Sequence, residues 1–183
     1  PTGVQTVHGV SVYTDWTYES IEQGFQEDNN MFFILTNSRA FTADMTEKVH
    51  KEIAERIETI SQRLNRPYLL ISRGDSTLRG HYPLETEVLK QTIEQKGHRT
   101  IDGEVILPFF REGGRFTIHN THYVEQDGVL VPAGETEFAN DRTFGYRSSH
   151  LGEWVEEKTR GKYQKDDMVY ISLQSIRELD IEK

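Results

Sequence analysis

The chain has 183 residues, no cysteine, and 30 acidic against 21 basic side chains, which gives a formal net charge of −9. The lack of cysteine excludes disulfide frameworks, Cys-ligated zinc and thiol catalysis, and the negative charge disfavours non-specific binding to nucleic acid or anionic membranes. We expect a cytoplasmic protein, because no apolar run approaches membrane-spanning length and Pro1-Thr2-Gly3 shows no signal-peptide pattern. The length fits a single domain over 1–183. No Met begins the chain, so we expect a fragment or a trimmed product.

The first elements along the chain alternate between strand and helix patterns. Strands are predicted at 10–16 and 31–36, and a short helix is predicted at 17–26 between them. The strongest periodic pattern follows, with Thr42 as a predicted N-cap. Its apolar residues recur at steps of three and four, as on one face of an amphipathic helix: Met45, Val49, Ile53, Ile57, Ile60 and Leu64.

The same alternation continues to residue 107. A strand is predicted at 68–72, a helix at 84–96 with Pro83 at its first turn, and a buried strand at 103–107. Strands and helices that take turns along a chain are typical of βαβ units. The sequence therefore predicts an α/β fold, a mostly parallel open sheet with helices on both faces.

The pattern changes after Pro108. Two alternating runs at 116–131, joined by a turn at Asp127-Gly128, predict a β-hairpin inserted late in the domain. The remaining predicted elements are a polar loop at 132–148, a helix at 151–159, a strand at 168–172 and the start of either a helix or a linker at 173–179.

The loop between the strand at 68–72 and the helix at 84–96 carries most of the candidate chemistry. In open α/β sheets, ligands bind where strands end and the chain turns into a helix. The loop combines groups that suit a small polyhydroxylated anion, although an ordinary solvated turn capped by Ser and Thr is the alternative. These groups are one carboxylate (Asp75), two hydroxyls (Ser76, Thr77), three potential cations (Arg73, Arg79, His81) and two glycines (Gly74, Gly80).

A second candidate site follows the strand at 31–36. Asn37, Ser38 and Arg39 lie at its carboxyl end, so we expect them to face the same crevice as the loop at 75–79. Two arginines, Arg39 and Arg79, suit a carboxylate because a guanidinium binds it with two hydrogen bonds. Helix capping is the alternative role for Asn37 and Ser38.

Other motifs argue against several kinds of site. His119 and His122 suggest a metal ion, but residues three apart in an extended run point to opposite faces, so no metal site is predicted. The chain contains no G-x-x-x-x-G-K-[ST] loop, no G-x-G-x-x-G and no G-x-S-x-G. We therefore expect no self-contained nucleotide-using enzyme within these residues.

The run Asp75-Ser76-Thr77-Leu78-Arg79-Gly80, followed by His81-Tyr82-Pro83, resembles the motif of the N-terminal domain of the four-carbon acid sugar kinase family. The resemblance extends over essentially the whole chain. Gly74 departs from it, since relatives often have Val or Ser there. Further agreement lies at Thr36-Asn37-Ser38-Arg39, Gly114-Arg115, His122-Tyr123-Val124 and Tyr170-Ile171-Ser172-Leu173.

This resemblance implies the substrate-binding half of a two-domain, ATP-dependent kinase. In that family the N-terminal domain holds a sugar acid, the C-terminal domain holds ATP with Mg²⁺, and phosphate goes to the terminal hydroxyl of a tetronate or 3-oxo-tetronate. The family's first strand, which ends in aspartates, and its ATP domain lie outside this sequence. We therefore expect no catalysis from these 183 residues alone, and no cofactor bound by them.

The resemblance also implies roles for individual residues. Arg39 and Arg79 would hold the carboxylate, and Asp75 would act as catalytic base or share that role with an aspartate upstream of Pro1. The implied partners are a small sugar acid and the C-terminal ATP domain, with no nucleic acid and no membrane. The sugar acid and the oligomeric state, including a homo-oligomer, stay open. The full substrate-binding set is Asn37, Ser38, Arg39, Asp75, Ser76, Thr77, Arg79, Gly80 and His81.

Two alternatives remain at this point. One is a stand-alone sugar-acid binding or regulatory module without catalysis, and the other is a purely structural domain. Whether the parent gene continues into a second large domain would separate the kinase from the stand-alone module.

Overall fold

Five α-helices and two small β-sheets form a mixed α/β structure over residues 8–179, the part that this computed structural model describes. The chain divides into two compact units. The first contains the chain up to Arg73 together with Gly80–Ile106, and the second contains Gly74–Arg79 together with the chain from Leu107 onward. The single domain expected from the length stays a prediction. Within residues 8–179, no helix is both long enough and apolar enough to cross a membrane.

The first unit contains its three predicted helices and the first two predicted strands, in the predicted order. Thr17 and Thr42 cap its first two helices, each accepting a hydrogen bond from a backbone N–H three residues on. The predicted N-cap at Thr42 is thus confirmed. The elements are β1 (Val12–Tyr13), α1 (Tyr18–Gln26), β2 (Phe33–Ile34), α2 (Ala43–Leu64) and α3 (Leu84–Gly97), and β1 pairs with β2 in parallel.

Helix α2 organises the hydrophobic core of the first unit. One face carries the predicted apolar stripe, whose buried members Val49, Ile53, Ile57 and Ile60 pack with Ile21 and Phe25 of α1. Its neighbouring face places Ala54 against Leu89 and Ile93 of α3. Met45, at the start of the stripe, is 48% exposed because it lies in the first turn, before the packed part of the helix.

The predicted open parallel sheet is only partly present. The parallel pair β1–β2 is observed, but no hydrogen-bonded strand is assigned at 68–72, 103–107 or 168–172. At 68–71 the chain packs Tyr68 and Leu70 against the α2 core, while Leu69 and Ile71 are 87% and 70% exposed. An apolar run indicates which side chains will be buried. It does not show whether a neighbouring strand is present to form backbone hydrogen bonds with it.

The second unit contains the predicted late β-insertion in a larger form. Asp127 and Gly128 have φ of 50° and 78°, which is the geometry of a tight hairpin turn, so the predicted turn is confirmed. The predicted first run is wrong as a single strand, because His119 and Asn120, at φ of 47° and 64°, form a second turn inside it. The result is an antiparallel sheet of β3 (Arg115–Ile118), β4 (Thr121–Gln126) and β5 (Val129–Pro132) in that order.

The chain after the sheet packs around small buried segments. The predicted polar loop at 132–148 contains two short 3₁₀ helices, Ala133–Glu135 and Glu137–Asn140. Gly134 is required there because a Cβ would collide with the backbone carbonyl of Arg147. Helices α4 (Leu151–Lys158) and α5 (Leu173–Glu178) follow, close to their predicted positions. Buried apolar residues of this unit include Val124, Ala139, Phe144, Tyr146, Trp154 and Val155.

The α2 core predicts a large difference between two substitutions in that helix. Ile60 is fully buried, so Ile60→Ala should lower the free energy of unfolding by about 2–5 kcal/mol. Met45→Ala in the exposed first turn serves as the control and should change it by less than about 0.5 kcal/mol. Urea unfolding followed by circular dichroism measures both. Equal losses for the two variants would show that the stripe is not the core of this unit.

Candidate functional site

A tight turn shapes the first half of the Asp75–Gly80 motif. The backbone N–H of Leu78 donates to the Asp75 carbonyl at 3.0 Å. Leu78 has a left-handed φ of 63°, an uncommon conformation for a branched apolar residue. Its side chain is nevertheless buried, and this burial helps to hold the turn in place.

The turn brings three of the predicted site residues into one hydrogen-bonded cluster. The Thr77 hydroxyl donates to the Asp75 carboxylate, and Arg79 Nε lies 2.7 Å from Asp75 Oδ2 and 3.0 Å from Thr77 Oγ1. Arg79 Nη1 is also 3.7 Å from Asp141 Oδ2. The side chains of Asp75 and Arg79 remain 17% and 21% exposed, so neither is completely shielded from solvent.

His122 on β4 is a positioning residue, a role that its sequence pattern did not predict. Its side chain is fully buried. Its Nε2 lies 2.7 Å from the Ser76 carbonyl, and because a carbonyl only accepts, Nε2 carries the proton. The other ring nitrogen, Nδ1, is 3.1 Å from the Thr117 hydroxyl and accepts a hydrogen bond from it. Burial lowers the pKa of His122 below its ordinary value and favours this neutral form.

Both ring nitrogens of His122 therefore have partners within the protein, which leaves none for a metal ion. Across residues 8–179, no group of three or more His, Asp or Glu side chains is arranged to hold a metal ion. The signal that could have identified His122 was its position two residues before Val124. The two residues share one face of β4, and both are buried.

Tyr146 holds the next carbonyl of the motif. Its hydroxyl donates to the Thr77 carbonyl at 2.7 Å, and both residues are buried. Burial, together with the nearby Asp75 carboxylate, raises the pKa of Tyr146 to about 12, so the hydroxyl keeps its proton and remains a donor at neutral pH. Two consecutive carbonyls of the motif are thus fixed by buried side chains from distant parts of the chain.

The residues predicted around the end of β2 lie in the first unit. Asn37 adopts a left-handed φ of 54° before a 3₁₀ helix at Ser38–Ala40, and its side chain makes no capping hydrogen bond. Arg39 is exposed. His81 Nε2 lies 3.0 Å from the carbonyl of Phe41 and donates to it.

Ser38 is held by a buried carboxylate that the sequence analysis missed. Its hydroxyl donates to Glu85 Oε1 at 2.6 Å rather than capping the helix through its side chain. His50 of α2 donates through Nδ1 to the Thr46 carbonyl at 2.8 Å and places Nε2 3.8 Å from the same Glu85 oxygen. Glu85 therefore positions the loop at 37–39.

The predicted site residues fall into two groups by unit. Asp75, Ser76, Thr77 and Arg79 belong to the second unit, where the turn brings them together. That all of the predicted residues face one crevice stays a prediction. The group in the first unit is Asn37, Ser38, Arg39, Gly80 and His81.

Comparison with known protein families identifies the chain. The family described as "Sugar-binding N-terminal domain" matches residues 1–180, which is nearly the whole sequence. The chain belongs to this family, the N-terminal domain of the four-carbon acid sugar kinases. No curated protein and no solved structure matches the chain. Membership in this family supports a sugar-binding role for the chain.

Removing the Tyr146 hydroxyl should destabilise this sugar-binding domain. Tyr146→Phe leaves the buried Thr77 carbonyl without its donor, and an unpaired buried polar group costs about 1–3 kcal/mol. Tyr163→Phe is the matched control, because Tyr163 is 40% exposed, and it should have almost no effect. The free energy of unfolding in urea measures both. If Tyr146→Phe left the free energy of unfolding unchanged, the Thr77 carbonyl would have to accept from another donor.

Stability should also depend on pH through His122. Its pKa in the folded state lies below the ordinary value of 6.5, so the unfolded chain binds more protons at mildly acidic pH. The stabilising contribution is therefore fully present above about pH 6.5 and is lost as pH falls toward the folded pKa, with a slope of at most about 1.4 kcal/mol per pH unit.

The variant His122→Gln keeps an N–H donor but cannot titrate, so it should reduce this slope. The exposed His119 provides the control variant His119→Gln, which should retain the wild-type slope. Urea unfolding at a series of pH values between 5 and 8 compares the three proteins. An unchanged slope in His122→Gln would show that His122 is not the titrating group.

Proposed function

We propose that this chain is the substrate-binding domain of an ATP-dependent kinase. Its substrate is a four-carbon sugar acid, a tetronate or 3-oxo-tetronate, which receives phosphate on its terminal hydroxyl. The observation that carries the proposal is the cluster of Asp75, Thr77 and Arg79, in which a carboxylate and a guanidinium share one anchored, partly exposed turn. An acid group and a reacting hydroxyl need these two opposite charges.

Arg79 is the proposed partner of the substrate carboxylate. Its Nε is engaged by Asp75 and Thr77, its Nη1 lies 3.7 Å from Asp141 Oδ2, and the side chain is 21% exposed. A guanidinium binds a carboxylate through parallel N–H groups, which orients the acid as well as holding it. Stacking of Arg79 on the Phe138 ring, 4.9 Å from its centroid, keeps the guanidinium plane in place.

Asp75 is the proposed acceptor of the proton from the reacting hydroxyl. Thr77 donates to its carboxylate and so orients it. Phosphoryl transfer depends mainly on alignment and on charge stabilisation, so a base held by a hydroxyl, a guanidinium and an anchored backbone meets the main requirement. Ser76, whose hydroxyl makes no hydrogen bond within residues 8–179, can bind a hydroxyl of the sugar.

The remaining parts of the reaction are assigned by family resemblance. ATP and Mg²⁺ would be held by a C-terminal domain of the same protein, which would act in the cytoplasm without a nucleic-acid or membrane partner. Asn37, Ser38, Arg39, Gly80 and His81 stay predicted substrate contacts. These 183 residues alone are expected to transfer no phosphate from ATP.

The proposal is tested on the full-length gene product. Isothermal titration with erythronate and threonate should show binding. The ligand should also raise the unfolding temperature, because a hundredfold excess over Kd increases the free energy of unfolding by about 2.7 kcal/mol. Arg79→Gln should raise KM about tenfold or more, since it removes the proposed charged partner of the substrate carboxylate. Asp75→Asn is nearly isosteric and should lower kcat with little change in KM. Phosphorus NMR follows product formation from ATP.

An exposed arginine of the second unit supplies the control. Arg142→Gln removes the same charge as Arg79→Gln from an exposed position and should leave KM unchanged. Binding of sugar acids without ATP-dependent phosphorylation by the full-length protein would favour the stand-alone binding module instead. Absence of binding to every tetronate and 3-oxo-tetronate tested would reject the substrate class.

A further inference from the structure

Two arginines of the second unit stack on a single aromatic ring. The guanidinium carbon of Arg79 lies 4.9 Å from the centroid of Phe138, and that of Arg115 lies 5.6 Å from the same centroid. Phe138 belongs to the 3₁₀ helix Glu137–Asn140. Two like charges near one ring repel each other, and nearby negative charge would relieve that repulsion.

The compensation is unequal. Arg79 is paired with Asp75 and lies near Asp141. No carboxylate of residues 8–179 lies within 4.0 Å of the Arg115 guanidinium, whose Nη1 donates to the backbone carbonyl of Gly113. Its buried Nε–H has no acceptor. Arg115 is therefore a half-buried cation with unused donors, in a chain that carries nine more negative than positive charges.

The position of Arg115 is set by backbone structure rather than by a mobile loop. Gly114 precedes it with a left-handed φ of 72°, which turns the chain into β3. Arg115 is paired with Val124 in the ladder to β4, and its carbonyl accepts from the Phe110 N–H at 3.0 Å. Because the backbone of Arg115 is already held in place, ordering this part of the site on ligand binding costs little conformational entropy.

We propose that Arg115 is a binding residue for the carboxylate of the sugar acid, acting with Arg79. The inference rests on the proposed function and extends it by adding Arg115 to the arginines proposed to bind the acid group. Because solvent does not reach the Nε–H of Arg115, the ligand is expected at its terminal Nη2 group. The carboxylate would supply the counter-charge that Arg115 lacks, and Phe138 would keep water from one side of both guanidinium groups.

The test compares an acid with its neutral isostere on the full-length protein. Isothermal titration gives Kd for threonate and for threonamide, which differs only in the carboxylate. Arg115→Gln should weaken threonate roughly tenfold and leave threonamide within about twofold, since the amide does not need the second positive charge. Arg115→Lys should fall between wild type and Arg115→Gln for threonate, because lysine keeps the charge but not the paired N–H geometry.

Arg111→Gln is the matched control, because Arg111 is an exposed arginine four positions away in the same unit. It should leave both ligands unchanged. Equal loss of threonate and threonamide in Arg115→Gln would overturn the inference and make Arg115 a structural residue of the ring stack. Equal changes in the Kd of threonate in Arg115→Gln and Arg111→Gln would also overturn it, because the change would then come from the net charge of the protein alone.

A second measurement separates this inference from the proposed function. If the wild-type protein binds no sugar acid, the proposed function fails, and acetate becomes the probe of the arginine pair. NMR monitors the side-chain Nε–H signals of the arginines while acetate is added. In the wild type the Arg115 signal should shift, and the Arg111 signal should not. No shift of Arg115 up to high acetate concentration would overturn the inference on its own.

Discussion

Two hydrogen bonds to neighbouring carbonyls hold the candidate site in its shape. His122 donates to the carbonyl of Ser76, and Tyr146 donates to the carbonyl of Thr77. Both donors are buried, so each bond replaces one that water cannot provide. These carbonyls lie within the turn from Asp75 to Leu78, and fixing them helps to hold Asp75 and Arg79 side by side. The geometry of the charged groups is thus a consequence of neutral hydrogen bonds beneath them.

The sequence predicted the parts of this structure that depend on local pattern. Helix α2 was evident because its apolar stripe and its Thr42 cap lie within one short window. The Asp127-Gly128 turn was evident from two residues. The cluster around Asp75 was predicted only in part: Asp75 and Arg79 are close in sequence, whereas His122 reaches a carbonyl 46 positions away. No local pattern reports that a buried histidine is matched to a distant backbone group.

Strand pairing was predicted less well for the same reason. The apolar runs indicated correctly that Tyr68 and Leu70 would be packed against the helices. They did not indicate whether a neighbouring strand would be present, because hydrogen bonding between strands joins residues far apart in the chain. The turn at His119-Asn120 was missed because neither residue is glycine, and only their left-handed backbone reveals it.

The outward row of apolar side chains at 69–71 has a consequence for the behaviour of these 183 residues in solution. Leu69 and Ile71 are exposed on a segment that is not part of a β-sheet. Segments with unpaired backbone groups readily pair with identical segments of other molecules. Their contact would strengthen with kosmotropic salts, which favour apolar burial. High salt would also screen the repulsion between chains that carry a charge of −9. Dilute, low-salt buffers at neutral pH are therefore the conditions in which this polypeptide should stay monodisperse.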